Sequence, residues 1–130
     1  MTIKPPLPEE DLYEYNAYIA KKYDGVYDGD TIYINVDMGM HIGNNVQGIR
    51  LKDVWAPEIR GEEREDGLIV EAWVQTRLNP GDQVRIRTYK DKQSFTRWVA
   101  DVWRKDDDGN WIHLNEEINN WMKEHDLGQA

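Results

Sequence analysis

The chain has 130 residues, a formal net charge of −9 and no cysteine, which allows one domain with a real core but not two. Disulfides and thiolate metal sites are excluded. No run approaches the roughly 20 apolar residues that span a bilayer, and the opening Met1-Thr2-Ile3-Lys4-Pro5-Pro6 lacks the apolar stretch of a signal peptide, so a soluble, cytoplasmic protein is expected.

Residues 1–11, rich in proline and acid, read as a loose N-terminal arm ahead of a single domain over 12–130. The aromatic-rich stretch 12–26, with Tyr13, Tyr15, Tyr18 and Tyr23, suits a strand. Asp28-Gly29-Asp30 is a tight turn, after which 31–36 alternates Ile32, Ile34 and Val36 with Thr31, Tyr33 and Asn35. Residues 39–45 turn the chain back, and 46–54 returns as a third strand ending at Ala56-Pro57-Glu58.

A helix is expected over 62–78, with Leu68, Ile69, Ala72, Trp73 and Thr76 as its apolar stripe and acids in its first turns. Gly67 is a weak point inside it, and Asn79-Pro80-Gly81-Asp82 stops it. Strands follow at 83–89 and 96–103, and Asp107-Asp108-Gly109-Asn110 makes a hairpin into 111–114. Asn115 reads as the N-cap of a last helix carrying Ile118, Trp121, Met122 and His125 on one side. Tryptophans 73, 98, 103, 111 and 121 read as core filling, and the three histidines as isolated surface or interface residues. Five short strands with two or three flanking helices form a mainly β, α+β pattern, that of an OB-type barrel.

Charge is unevenly placed. Residues 84–105 hold seven basic side chains against two acidic ones, so the rest of the chain is strongly acidic. A basic stripe for phosphates and two ordinary solvated strands both explain this, and charge alone does not choose.

Four local patterns, in order, resemble the staphylococcal nuclease (thermonuclease-like) family. They are Tyr27-Asp28-Gly29-Asp30-Thr31-Ile32; Arg50-Leu51-Lys52-Asp53-Val54-Trp55-Ala56-Pro57-Glu58; Ser94-Phe95-Thr96-Arg97 followed by Val99-Ala100-Asp101-Val102; and Asp108-Gly109-Asn110-Trp111 through Leu114-Asn115-Glu116. The chain's compactness is similar to small nuclease-like proteins encoded by phages of actinobacteria. The resemblance implies an OB-type barrel and a metal-assisted phosphodiesterase acting on DNA or RNA, single strands preferred, usually with Ca²⁺. It makes Asp30 a metal ligand, Arg50 and Arg97 the phosphate clamps and Glu58 the general base. Asp53 and the Ala56 backbone carbonyl are further candidate metal ligands, and Phe95, Lys92 and Arg87 candidate nucleic-acid contacts.

These residue types suit that chemistry. Phosphodiester hydrolysis needs an activated water and neutralised equatorial oxygens. A glutamate takes the water's proton. Guanidinium forks match phosphate better than an ammonium does, and a hard cation takes oxygen ligands. One departure stands out: Trp55 occupies the position where the family carries a second metal-binding aspartate. It leaves a second expectation open, a binding module on the same scaffold that has lost turnover and holds single-stranded nucleic acid or a protein partner.

Overall fold

The structure, a computed structural model, describes residues 12–90 and 98–127. In chain order the strands are β1 (Leu12–Ile19), β2 (Val26–Asp28), β3 (Thr31–Asp37), β4 (Gly43–Leu51), β5 (Gln83–Lys90), β6 (Trp98–Lys105) and β7 (Trp111–His113). The helices are α1 (Arg64–Arg77) and α2 (Leu114–Glu124). Among the described residues, five strands close a mixed barrel, two lie outside it and two α-helices flank it, the expected OB-type α+β architecture. β1 joins β3 to β5, β5 pairs with β6, and β4 closes the circuit between β3 and β6. Only the β4–β6 pairing among these is parallel.

Alternation builds the interior. Ile32, Ile34 and Val36 of β3 point inward with Ile49 and Leu51 of β4, Val84 and Ile86 of β5, and Ala100 and Val102 of β6. Fully burying each of the larger side chains stabilises the fold by about 1.5–3 kcal/mol. The tryptophans do not fill this core, contrary to expectation. Trp73, Trp98 and Trp121 are only partly buried and pack against it, Trp98 from the inward side of β6 beside Ile49 and Ile86, and Trp111 is 38% exposed.

The stretch expected as one strand over 12–26 is two. β1 stops at Ile19, and a 3-10 turn, Lys22–Gly25, intervenes before β2. Tyr23 and Asp24 take φ of 53° and 52° there and Gly25 takes 82°, three successive left-handed residues that redirect the chain.

α1 lies within its expected range but presents another face. Gly67, Val70 and Val74 are buried, whereas Leu68 and Ile69 are exposed and so are Ala72 and Thr76. Gly67 explains the rotation. A Cβ there would lie 2.2 Å from the Glu58 carbonyl oxygen, so the helix rests backbone to backbone on the loop after β4. The apparent weak point is the contact that orients the helix.

Asn115 is not a cap. The chain enters α2 through His113, and Asn115, 2% exposed, is a buried latch. Its Oδ1 accepts from the Val102 amide at 2.9 Å, and its Nδ2 donates to the Lys52 and Ala100 carbonyls at 2.9 and 3.0 Å. It satisfies backbone groups where the β4–β6 pairing runs out. His125 ends α2 rather than facing the core, its ring stacked on Trp121. Among the described residues no helix is long and apolar enough to cross a membrane.

Candidate active-site cleft

A cleft of about 740 Å³ opens where the turn between β2 and β3, the outer face of β3 and β4, and the loop after β4 meet. Asp30, Arg50, Ala56 and Glu58 all line it, and so does Trp55. Barrel register brings the first two together: Thr31 sits opposite Arg50 across the β3–β4 pair, and the Asp30 carbonyl accepts from the Leu51 amide at 2.7 Å. Glycine then draws α1 onto the cleft. A Cβ on Gly29 would lie 2.5 Å from Val70 Cγ1 and 2.6 Å from Ala56 Cβ, so the turn, the loop and the helix touch only because that side chain is absent. Gly67 and a hydrogen bond from the Glu58 amide to Glu63 Oε2, 3.0 Å, fix the loop backbone and leave the Glu58 carboxylate exposed at the rim.

Asp30 is the electrostatic centre. Burial raises its carboxyl from the ordinary 3.8 to about 7. The hydrogen bond and negative charge of Asp28 push the same way, while Arg50 and the Thr31 hydroxyl oppose. Asp28 Oδ1 also accepts from the Asp30 amide at 3.1 Å. Its charge reaches Glu71 on α1, whose carboxyl is raised mainly by burial and then by Asp28. The Arg50 guanidinium is held loosely: Nη2 stands 3.8 Å from Asp30 Oδ2 and 3.4 Å from the Val54 carbonyl. Trp55, 57% exposed, does not fill the cleft floor; its ring centroid lies 4.3 Å from the guanidinium carbon of Arg50. The aromatic residue at the departure position therefore orients the candidate clamp by a cation–π contact.

Three carboxylates of the described residues line the cleft, Asp28, Asp30 and Glu58, of which Asp28 and Asp30 sit together at the turn where a hard cation would meet them. Among the described residues no group of three or more His, Cys, Asp or Glu could hold a metal ion. Asp53 does not join them. β4 ends at Leu51, Asp53 sits in the following turn with φ 59°, and its carbonyl accepts from Asn119 Nδ2 at 3.0 Å. The strand expected over 46–54 stops before it reaches Asp53.

The other expected contacts divide. Arg87 lies outside the cleft, paired to Glu14 through Nε and Nη2 at 2.9 and 2.5 Å. Arg104 is paired to Glu117, so two members of the basic stripe are already neutralised. Lys92, Phe95 and Arg97 fall outside the described residues. The cleft instead takes Arg60, whose Nη2 donates to the Tyr27 hydroxyl at 3.0 Å, and the rings of Tyr27 and Tyr33. Tyr27 directly precedes Asp28-Gly29-Asp30, and Tyr33 belongs to the outward set of its strand. Those positions were the available signal, but outward residues are ordinarily solvated. His113 is not isolated either: Nε2 lies 2.9 Å from Asp101 Oδ1. Compared with protein-family models and with curated proteins, the chain matches none.

Proposed function

We propose that the cleft hydrolyses phosphodiester bonds in single-stranded DNA or RNA with the help of a divalent cation. What supports the reading is the convergence of Asp30, Arg50 and Glu58, from separate segments, on one cleft lined also by Asp28 and Arg60. In this reading Arg50 donates N–H groups to the equatorial phosphate oxygens, held in place by the Trp55 ring. Glu58 takes a proton from the attacking water as the new O–P bond forms and the P–O bond to the leaving sugar breaks, the leaving oxygen being protonated from solvent. Asp28 and Asp30 would hold the cation, Ca²⁺ by the family resemblance, which would supply Lewis acidity to the phosphate. Arg97 is the second clamp by the same resemblance.

The test is digestion of a single-stranded oligonucleotide and an RNA of equal length with Ca²⁺, Mg²⁺, Mn²⁺ or EDTA. Cleavage should need a metal, and Glu58→Gln should lower it by roughly 100-fold or more with little change in binding. Wild-type rates from Glu58→Gln remove the base from Glu58. Binding without cleavage under every metal would favour the second reading, a binding module, which the indole at position 55 and the two-carboxylate donor set support.

A further inference from the structure

Three tyrosines meet at the mouth of the cleft. Tyr27 and Tyr33 line it, and Tyr23, 54% exposed, leans over both, with ring centroids 5.4 Å from each. The Tyr27 and Tyr33 rings are edge-on to one another at 6.5 Å. The Lys22 ammonium lies 5.1 Å from the Tyr33 centroid and 5.5 Å from that of Tyr23.

Two features hold this group in place against ordinary preference. Tyr23 adopts φ 53°, and Asp24 beside it 52°, where a bulky L-residue is rarely found. Tyr33 lies over Gly48 on the neighbouring strand, where a Cβ would come within 3.3 Å of its Cε1. The left-handed run turns the chain between β1 and β2, and in doing so it presents the Tyr23 ring, still half exposed, against Tyr27 and Tyr33. A half-open aromatic cluster beside a cation, a few residues from Asp30 and continuous with the cleft, has the chemistry that single-stranded nucleic acid uses: π-faces for a base and positive charge for the adjoining phosphate.

We infer that Tyr23, Tyr27 and Tyr33 form a base-stacking subsite, with Lys22 facing the phosphate of the same nucleotide, that seats one nucleotide of a single strand beside the scissile position. The inference rests on the nuclease reading for the identity of the strand. The subsite is sequence-tolerant, since every base offers a π-face, and it excludes duplex, whose bases are already stacked on one another.

The experiment measures Kd by fluorescence anisotropy, in EDTA to prevent turnover, for oligothymidylate and for an abasic sugar-phosphate oligomer of the same length. The wild-type protein should bind the base-bearing strand on the order of 10-fold more tightly. Tyr23→Asn should erase most of that preference and leave abasic binding unchanged. Asparagine tolerates the left-handed conformation, so thermal stability should hold and a folding defect cannot mimic the result. Tyr23→Phe should keep the preference. Equal Kd for the two oligomers, or full preference in Tyr23→Asn, overturns the subsite. If cleavage is metal-dependent and lost in Glu58→Gln while base preference is absent, the subsite fails and the nuclease reading stands. If base preference is present without cleavage under any metal, hydrolysis fails and the subsite stands. Binding of neither oligomer, together with no cleavage under any metal, overturns both.

Discussion

The cleft and the seam between α2 and β6 are built from the same residue types, yet they treat their charges in opposite ways. In the seam Arg104 meets Glu117 through Nε and Nη2 at 2.8 and 2.5 Å. Asp101 takes the Tyr89 hydroxyl and the His113 ring, each at 2.9 Å, and Asn115 uses its amide three times. In the cleft Arg50 stands 3.8 Å from Asp30, and the Asp30 carboxyl is driven to about 7 by burial and by Asp28. The seam closes its hydrogen-bonding capacity on itself and so contributes stability. The cleft holds its guanidinium only by long contacts and keeps a destabilised carboxylate beside it, groups that the proposed function would turn on a phosphate and a cation. Such local frustration marks functional positions.

The largest effect on this contrast should come from the seam. Asn115→Ala strips partners from the buried Val102 amide and from two carbonyls and should cost about 3 kcal/mol or more in urea unfolding. Oligonucleotide cleavage per folded molecule should stay near wild type. A loss below about 1 kcal/mol would mean the seam is not the stabilising half.

Asp30→Asn should do the reverse. The Asp30 carboxyl titrates higher in the folded protein than its unfolded 3.8. Its neutral form therefore favours folding fully below about pH 4, and that advantage is lost as pH rises toward 7. Above pH 7 the buried charge costs on the order of 4 kcal/mol. Asn cannot ionise, so at pH 8 the variant should be more stable than wild type by part of that amount, and the gap should shrink toward pH 4, while cleavage falls. Unfolding curves at both pH values check this. A variant less stable at pH 8 would show that the cleft carboxylate is not under strain.

Gly67→Ala sharpens the comparison where α1 meets the Glu58 loop. Alanine improves helix propensity by about 1 kcal/mol, but here its Cβ would meet the Glu58 carbonyl. A net loss of about 1–3 kcal/mol is expected, with cleavage reduced beyond the loss of stability because the Glu58 loop moves. Ile69→Ala, on the exposed face, should change stability by less than about 0.5 kcal/mol; melting temperatures of the two variants, run together, separate the faces.

Much of the fold and half of the cleft were legible in the chain. Period-two alternation around Ile32 and Val84 identifies strands because inward and outward faces differ in polarity; Asp28-Gly29-Asp30 identifies a turn through the Asp28 carboxylate that accepts from the Asp30 amide, and Asp108-Gly109-Asn110 through Gly109, whose φ of 82° few other residues adopt. Asp30, Arg50 and Glu58 were visible as motif members and do line one cleft. The active face of α1 was not legible. Its apolar residues Leu68 and Ile69 are exposed, and only the approach of a loop from before the helix shows why Gly67 points inward. Asp53 was misdirected because the end of a strand depends on its partners, and β4 ends where its register with β6 does.

The sequence by itself determined the fold class, the positions of most elements and the residue types available for phosphate chemistry. These depend on local periodicity and turn preference, which each segment carries alone. Tertiary structure decided which charges are neutralised and which are left exposed to a ligand. Arg87 and Arg104 look like Arg50 in the chain, but folding hands them Glu14 and Glu117, on other elements, at hydrogen-bonding distance. It leaves Arg50 with a distant carboxylate and an indole. Charge pairing falls off with distance and is screened by water. Only the closing of the barrel, which sets those distances and excludes that water, separates a structural arginine from one available to bind.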